Sequence, residues 1–314
     1  MVKWVLVKVL GKGSYAVVLL ARQMIGPLAY YFAIKVTTLQ QHSLLAWEEQ
    51  VLKCFIGCPE IVQCLGSEIT TTGNSSVTTL FNLKLEYASK GTLDDLIKQR
   101  KNLPENEVKE YLKMILRGLS CIHHEGFVHV DLKPTNILVF PKSDGKIQLK
   151  IADFGLSKRC GQMDDEEEDD CGVAAFRGTP TYMSPESIIF SEVNSALDIW
   201  SLGCILVEMV SGKPVWDDCK SRDQLMTRLL DDMDIPTIPD ELFEQGKDFI
   251  SKCFVRDYKQ RWTADMLLQH PYLSEENEVM KKCDGISKLA ETIFLPHQLC
   301  KHTTLSSNNW ISKL

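Results

Sequence analysis

The chain has 314 residues, 44% of them hydrophobic, a length that fits one large two-lobed domain or two ordinary domains. Its net charge is −7, and the acidic run 164–170 supplies seven of its 42 acidic residues. Without that run, 35 acidic residues remain against 35 basic residues. This balance gives no indication of a broad basic face for nucleic acid.

Cysteines and apolar runs indicate the compartment. The eleven cysteines are scattered, with no C-x-x-C pair, and several lie inside apolar stretches as free thiols do. No run reaches the roughly eighteen apolar residues that a membrane span needs. We therefore expect a protein of the cytoplasm, the nucleus or both.

A glycine-containing turn, residues 11–16 (GKGSYA), lies between two predicted strands at 2–10 and 17–22. Glycines let backbone N–H groups approach phosphates because no Cβ intervenes. A dinucleotide-binding fold would need a helix after these glycines, whereas the β-branched pair Val17-Val18 favours a strand. The pattern predicts a glycine turn between two strands that can close over phosphates, but Ala16 stands where a third glycine is usual, and by itself the signal is weak.

The next predicted strand, 32–35 (FAIK), ends in Lys35, and residues 44–52 have the apolar spacing of a helix. That helix carries two adjacent carboxylates, Glu48 and Glu49. From the spacing alone, either one can reach Lys35.

Two more strands are predicted at 61–65 and 80–87, with a polar loop at 69–76. Thr92 and Asp95 have the spacing of a capping box for a short helix. A longer helix is predicted from Pro104 to a stop at Gly126. Its apolar face is Val108, Tyr111, Leu112, Ile115, Leu116, Leu119 and Ile122.

Residues 129–136 (HVDLKPTN) place a carboxylate, a lysine and an asparagine in one short loop before an apolar strand at 137–140. This group suits phosphoryl transfer. Asp131 would orient a hydroxyl and accept its proton, Lys133 would steady the γ-phosphate, and Asn136 would hold a metal. A further strand, 147–151, leads into Asp-Phe-Gly at 153–155.

Seven motifs in this order resemble the eukaryotic protein kinases of the serine/threonine type. They are the glycine turn, the FAIK strand, LEYA at 85–88, the loop 129–136, DFG at 153–155, GTPTYMSPE at 178–186 and DIWSLG at 198–203. The wording of the sixth motif, with LLQHPY at 267–272, is most similar to MEKK-like MAP kinase kinase kinases, notably the small plant members.

The resemblance covers residues 3–273 and implies an α+β, bilobal kinase fold. It implies a β-rich N-lobe at about 3–85, a hinge at about 86–90 and a mainly α-helical C-lobe at about 91–273. Residues 274–314 would form a C-terminal tail, to which the pattern assigns no role.

The resemblance also implies ATP and Mg²⁺ as cofactors. Asn136 and Asp153 would hold the metal, and Thr179 would lie in the segment that faces the protein substrate. Glu48, rather than Glu49, matches the family glutamate that positions the lysine. The gatekeeper side chain would be Leu85. The implied ATP-binding residues are Gly11, Lys12, Gly13, Ser14, Ala16, Val18, Ala33, Lys35, Glu48, Glu86, Ala88 and Leu138.

Two polar positions of the second lobe have structural roles in the family. Asp198 would anchor the catalytic loop from a buried helix, and Arg261 would pair with Glu186. We expect both roles to serve the fold rather than the chemistry.

One departure from the family pattern concerns regulation. Val130 stands where the family has an arginine that meets an activation-loop phosphate, and residues 159–177 contain no Ser, Thr or Tyr. We therefore predict a kinase that needs no activation-loop phosphorylation and is limited by abundance, a partner or its tail. The acidic run 164–170 either substitutes for phosphate or is a solvated, extended loop.

The predicted function is an ATP-dependent protein serine/threonine kinase, a MAP kinase kinase kinase whose substrate is a MAP kinase kinase. A regulatory protein acting on the tail or the acidic loop is a further expected partner. The alternative is a kinase-shaped scaffold, which the retained lysine and aspartates disfavour. Lys133 and Thr179 disfavour a tyrosine or dual-specificity kinase.

Overall fold

A five-stranded antiparallel sheet forms the first part of the protein in the computed structural model, which describes residues 4–13, 15–72, 78–162, 178–189, 193–231 and 234–274. The strand order is β1-β2-β3-β5-β4. The strands are β1 (Trp4–Lys12), β2 (Val17–Ile25), β3 (Leu28–Thr38), β4 (Cys64–Thr72) and β5 (Thr78–Glu86).

Two predictions about this sheet were wrong. Ile61 and Val62 belong to no long strand; they are buried against the second part of the protein, where Ile61 forms an isolated bridge with Ile151. Apolar residues without alternation look alike in a strand and in a buried turn. The predicted loop at 69–76 is strand as far as Thr72, because the β-branched run 70–72 continues the pairing with β5.

Helix α1 (Ser43–Lys53) packs beside the sheet and buries Leu45, Glu48, Val51 and Leu52. Glu48 lies three positions after Leu45, three before Val51 and four before Leu52, so these residues share one helix face. Glu48 is therefore turned into the protein, whereas Glu49 is only partly buried. Helix α1 therefore places the Glu48 carboxylate inside the protein, within reach of the buried Lys35.

The second part is mainly helical. Its helices are α2 (Leu93–Arg100), α3 (Glu105–His124), α4 (Pro185–Ile189), α5 (Ala196–Ser211), α6 (Arg222–Leu230), α7 (Glu244–Cys253) and α8 (Ala264–Leu268). The short strands are β6 (Phe127–Val128), β7 (Ile137–Pro141), β8 (Ile147–Ile151) and β9 (Lys158–Arg159). β6 pairs with β9, and β7 pairs with β8.

Helices α3 and α5 supply much of the buried apolar surface of this part. Every residue predicted for the apolar face of α3 is buried, and so are residues 196–210 of α5. Helix α5 ends at Gly212, whose φ is +70° and whose hydrogen atom faces Lys101 O so closely that a Cβ would lie 1.4 Å from it. Only glycine fits that position.

The predicted α+β class, with a β-rich first part and a mainly helical second part, is confirmed. The sheet and the helices belong to one compact unit that ends at Leu273. The predicted tail, 274–314, lies outside the described residues except for Ser274. Among the helices that the structure describes, none has the length and hydrophobicity of a membrane span.

Candidate active site

A cleft cavity of about 480 Å³ opens between the sheet and the helical part. It has an apolar roof from the sheet, a floor that includes Leu138, and a polar end at Lys35, Asn136 and Asp153. Its size and mixed lining suit a small ligand with one flat apolar part and one charged part. Nine predicted site residues line it: Gly11, Val18, Ala33, Lys35, Glu86, Ala88, Asn136, Leu138 and Asp153.

A smaller neighbouring cavity of about 80 Å³ lies under the glycine turn and is lined by Gly13, Ala16 and Glu48 among others. Gly13 N donates to Ala16 O at 2.9 Å, which closes the turn. Lys12 is exposed and lines neither cavity. Ser14 lies outside the described residues.

Lys35 joins the two sides of the cleft. Its Nζ lies 2.7 Å from Glu48 Oε1 on α1 and 2.7 Å from Asp153 Oδ1, which follows β8. The Lys35 and Glu48 side chains are 11% and 1% exposed, whereas that of Asp153 is 50% exposed. Two buried charges are thus paired with each other, and a third remains open to a ligand.

The charges of this triad depend on one another. Burial lowers the pKa of Lys35, but Glu48 and Asp153 more than offset it, so the pKa lies above its ordinary 10.5. Burial raises the pKa of Glu48, and Lys35 offsets only part of that rise. Burial also disfavours the Asp153 anion, yet Lys35 holds the pKa of Asp153 below 3.8. Lys35 and Asp153 therefore carry full charges at neutral pH.

The predicted choice of Glu48 over Glu49 agrees with these contacts. Glu49 instead accepts a hydrogen bond from Ser67 Oγ at 2.8 Å and pairs with Lys53 at 2.9 Å. Glu48 Oε1 also accepts from Phe154 N at 3.3 Å, so α1 and the DFG turn hold each other in place.

The catalytic loop gathers its predicted residues around one carboxylate. Lys133 Nζ donates to Asp131 Oδ2 at 2.6 Å and to Thr179 Oγ1 at 2.6 Å, and Thr179 Oγ1 donates to Asp131 Oδ1 at 2.9 Å. Asn136 Nδ2 donates to Asp131 O at 2.8 Å. Asn136 also lines the cleft, and its side-chain oxygen is an acceptor of the kind that can bind a metal.

Asp198 fixes the backbone of this loop from inside the protein, as predicted for a structural role. It accepts from His129 N at 2.9 Å, from Val130 N at 3.0 Å and from His123 Nε2 at 2.9 Å. Val130 has φ +72°, a conformation that is costly for a β-branched residue. The hydrogen bonds from the backbone N–H groups of His129 and Val130 to Asp198 help to hold it. Its side chain packs against the apolar cluster of Val128, Val193 and Leu197.

The hinge residues lie along one wall of the cleft, where Leu85, Glu86, Tyr87 and Ala88 follow each other. Leu85 is 4% exposed, which suits the gatekeeper position. The Glu86 carboxylate is held by Lys150 Nζ at 2.6 Å and by Gln63 N at 2.8 Å. With its side chain bound on the protein side, Glu86 offers only its backbone to a ligand.

The predicted pair of Arg261 and Glu186 is present and buried. The guanidinium lies 2.5 Å and 3.0 Å from the two carboxylate oxygens, and it also donates to Ala196 O and Val255 O. All these contacts lie inside the helical part, away from the cleft, so the pair serves the fold.

Sequence reasoning missed several contributors to the site. Trp47 Nε1 donates to Ser157 O at 2.8 Å, a second link between α1 and the segment after the DFG turn. His129 Nε2 donates to Ala152 O at 3.0 Å, which joins the catalytic loop to that turn. Asp95, predicted only as a capping residue, also lines the cleft. Only the cap spacing of Asp95 gave any local signal.

The residues present fit a nucleotide with a divalent metal. Mg²⁺ prefers oxygen ligands and often takes only one or two carboxylates from the protein, with phosphates completing its shell. The open carboxylate of Asp153 and the amide oxygen of Asn136 are such donors. Among the described residues, no group of three or more His, Cys, Asp or Glu could hold a metal ion by itself.

Comparison with known proteins places this geometry in a family. Residues 4–273 match the family model of the protein kinase domain. Among Arabidopsis thaliana proteins, the chain is 39% identical to mitogen-activated protein kinase kinase kinase 20 over 88% of this chain and 80% of that protein. It is 33% identical to mitogen-activated protein kinase kinase kinase 17 over 88% of this chain and 71% of that protein. Together with the cleft described above, these matches show that the chain belongs to the protein kinase family.

Proposed function

We propose that this protein is an active, Mg²⁺- and ATP-dependent protein serine/threonine kinase. The observation that supports it most is the pairing of two complete groups across one cleft. Lys35, Glu48 and Asp153 form one group, and Asp131, Lys133 and Asn136 form the other. A scaffold has no need to retain both groups.

The chain's own residues would act mainly by position and charge. The hinge backbone and Leu138 hold the flat part of the nucleotide, and Lys35 neutralises its phosphates. Asp153 and Asn136 would hold Mg²⁺, which supplies further charge neutralisation when bound. Asp131 accepts a hydrogen bond from the substrate hydroxyl and takes its proton, while Lys133 stabilises the charge on the transferred group.

Thr179 supports a serine or threonine substrate. Its hydroxyl bonds both Asp131 and Lys133, so the segment 178–183 is fixed directly beside the catalytic carboxylate. The similarity to mitogen-activated protein kinase kinase kinases 20 and 17, together with the GTPTYMSPE motif, favours a MAP kinase kinase as the substrate.

We further propose that activity does not depend on activation-loop phosphorylation. Val130 carries no charge for a phosphate, and its side chain packs in an apolar cluster. Residues 163–177, with the acidic run, lie outside the described residues. Replacing the seven acids by Ser and Gly leaves basal activity unchanged if the run is a solvated loop. A large loss would favour the phosphate-mimic alternative.

The test is γ-phosphate transfer from Mg-ATP by phosphatase-treated protein to a kinase-dead MAP kinase kinase, beside an Asp131→Asn control. We expect transfer by the parent protein and a loss of about 10³-fold in the variant. Transfer to an unrelated kinase-dead protein controls for specificity. Nucleotide binding without transfer to any protein substrate would contradict the proposed activity. A protein that neither transfers phosphate nor binds nucleotide would favour the scaffold alternative.

A further inference from the structure

Two cysteines from different parts of the fold meet outside the lining of the cleft. Cys58 lies in the loop after α1, Cys121 lies on α3, and their sulfur atoms are 3.4 Å apart although 63 positions separate them in the sequence. Two sulfurs at this distance need only a small rotation of the side chains to reach bonding distance. We propose that Cys58 and Cys121 form a reversible disulfide that ties the loop after α1 to α3.

The loop that carries Cys58 is held in place from both sides. Gln63 Nε2 donates to Cys58 O at 3.0 Å, and Gln63 Oε1 accepts from Gly57 N at 2.8 Å. Phe55 is buried and packs on Phe127 and Phe154 with ring centroids 5.9 Å and 5.8 Å away. The two sulfurs therefore stay close without a bond, which gives Cys58 a high effective concentration toward Cys121.

The two thiols differ in access. Cys121 is exposed and borders a surface pocket of about 230 Å³ together with Cys54, Ile56 and His124. Cys58 is partly buried, and its burial raises the pKa of its thiol to about 11. Cys121 is thus the thiol that an external oxidant reaches first, and Cys58 resolves the product through its proximity, since its raised pKa leaves little thiolate.

The chemistry needs a low-molecular-weight disulfide such as glutathione disulfide. The Cys121 thiolate attacks one of its sulfurs, forming a mixed disulfide and releasing one glutathione, which takes up a proton. Cys58 then loses its proton to solvent and attacks the Cys121 sulfur, which displaces the second glutathione. Two protein thiols are oxidised, and one glutathione disulfide is reduced to two glutathiones.

Peptide mapping of the full chain after glutathione disulfide treatment tests the proposal. Free thiols are alkylated and the protein is cut with chymotrypsin, because Phe55 lies between Cys54 and Cys58. We expect a Cys58–Cys121 linked peptide that dithiothreitol reverses. It disappears in Cys58→Ser and Cys121→Ser but persists in Cys54→Ser, the matched control from the same pocket.

Thermal unfolding of the same samples provides a second readout. Closing a loop of this length raises Tm by about 5 °C or more in the parent protein and leaves treated Cys58→Ser unchanged. Glutathione retained on Cys121 beside an alkylated Cys58 would overturn the proposal. So would linkage of Cys121 to any other cysteine, or a Cys58–Cys121 bond without a rise in Tm.

Discussion

The cleft and the helical part each contain a network of opposite charges, and these two networks differ in one respect. In the cleft, Lys35 and Glu48 are buried, but the third member, Asp153, is half exposed. In the helical part, Arg261 and Glu186 are both almost fully buried, and the guanidinium also binds two backbone carbonyls. The first network keeps a charge for a ligand, whereas the second has satisfied its charges within the fold.

This difference separates function from stability. A charge left open to solvent contributes little to folding, so removing it should affect mainly the ligand. A buried pair that loses one member leaves the other without compensation, which is costly even where the intact pair adds little. The predictions below use single substitutions to test that separation.

The largest effect is expected for Asp153→Asn. The variant keeps the Lys35–Glu48 pair but loses the carboxylate that would hold the metal. We expect phosphoryl transfer to fall by about 10³-fold while the free energy of unfolding changes by at most about 1 kcal/mol. Steady-state kinetics and urea unfolding of the same preparation check both parts. A loss of several kcal/mol in unfolding free energy would contradict the proposed separation of function from stability.

Glu186→Gln should give the opposite pattern. Removal of one carboxylate charge leaves the Arg261 guanidinium buried and uncompensated, so we expect a loss of roughly 3–5 kcal/mol in unfolding free energy. Glu110→Gln, which breaks a surface pair with Lys113 whose glutamate is 59% exposed, is the matched control and should cost less than about 1 kcal/mol. Equal effects in urea titrations would refute the argument from burial.

Glu48→Gln and Glu49→Gln compare two neighbouring carboxylates on α1. The first keeps the shape but loses the charge that positions Lys35, so we expect activity to fall by roughly 10-fold to 100-fold. The second bonds Ser67 and Lys53, outside the cleft, and its replacement should leave activity within about twofold of the parent. Reversed effects would assign the pairing to Glu49.

A smaller effect concerns acid stability. Burial disfavours the Asp198 anion, but its hydrogen bond with His123 and its other partners hold its pKa below the ordinary 3.8. The folded-state pKa is depressed, so the stabilisation is present above about pH 4 and is lost as pH falls through the folded pKa. Unfolding free energies between pH 5 and 2 should fall more steeply in the parent than in Asp198→Asn. Parallel curves would show that Asp198 does not contribute.

Much of the site could be predicted because its residues come in short, rigid stretches. The apolar spacing of residues 44–52 predicted helix α1, and the family pattern then chose Glu48 over Glu49; the structure buries Glu48 on the same helix face as Leu45 and Leu52. The catalytic loop likewise carries Asp131, Lys133 and Asn136 within six residues. Residues this close in the sequence remain close in the folded protein, so their grouping can be predicted.

Contacts between distant stretches could be predicted only where the family resemblance implied them, as for Arg261 and Glu186. Trp47 bonds Ser157 across 110 positions, and Thr179 bonds Asp131 across 48. Nothing in the sequence around Trp47 or Thr179 indicates which distant residue it will bond. The strand predicted at 61–65 was wrong for a related reason: Ile61 and Val62 are apolar because they pack on β8, which local alternation does not reveal.

The most direct test of the cleft network is a calorimetric titration of ATP into the parent protein and into Asp153→Asn, each with and without Mg²⁺. If Asp153 keeps its charge for a metal, Mg²⁺ should tighten ATP binding to the parent protein, and this gain should vanish in the variant while metal-free binding persists. An equal gain from Mg²⁺ in both proteins would contradict the account.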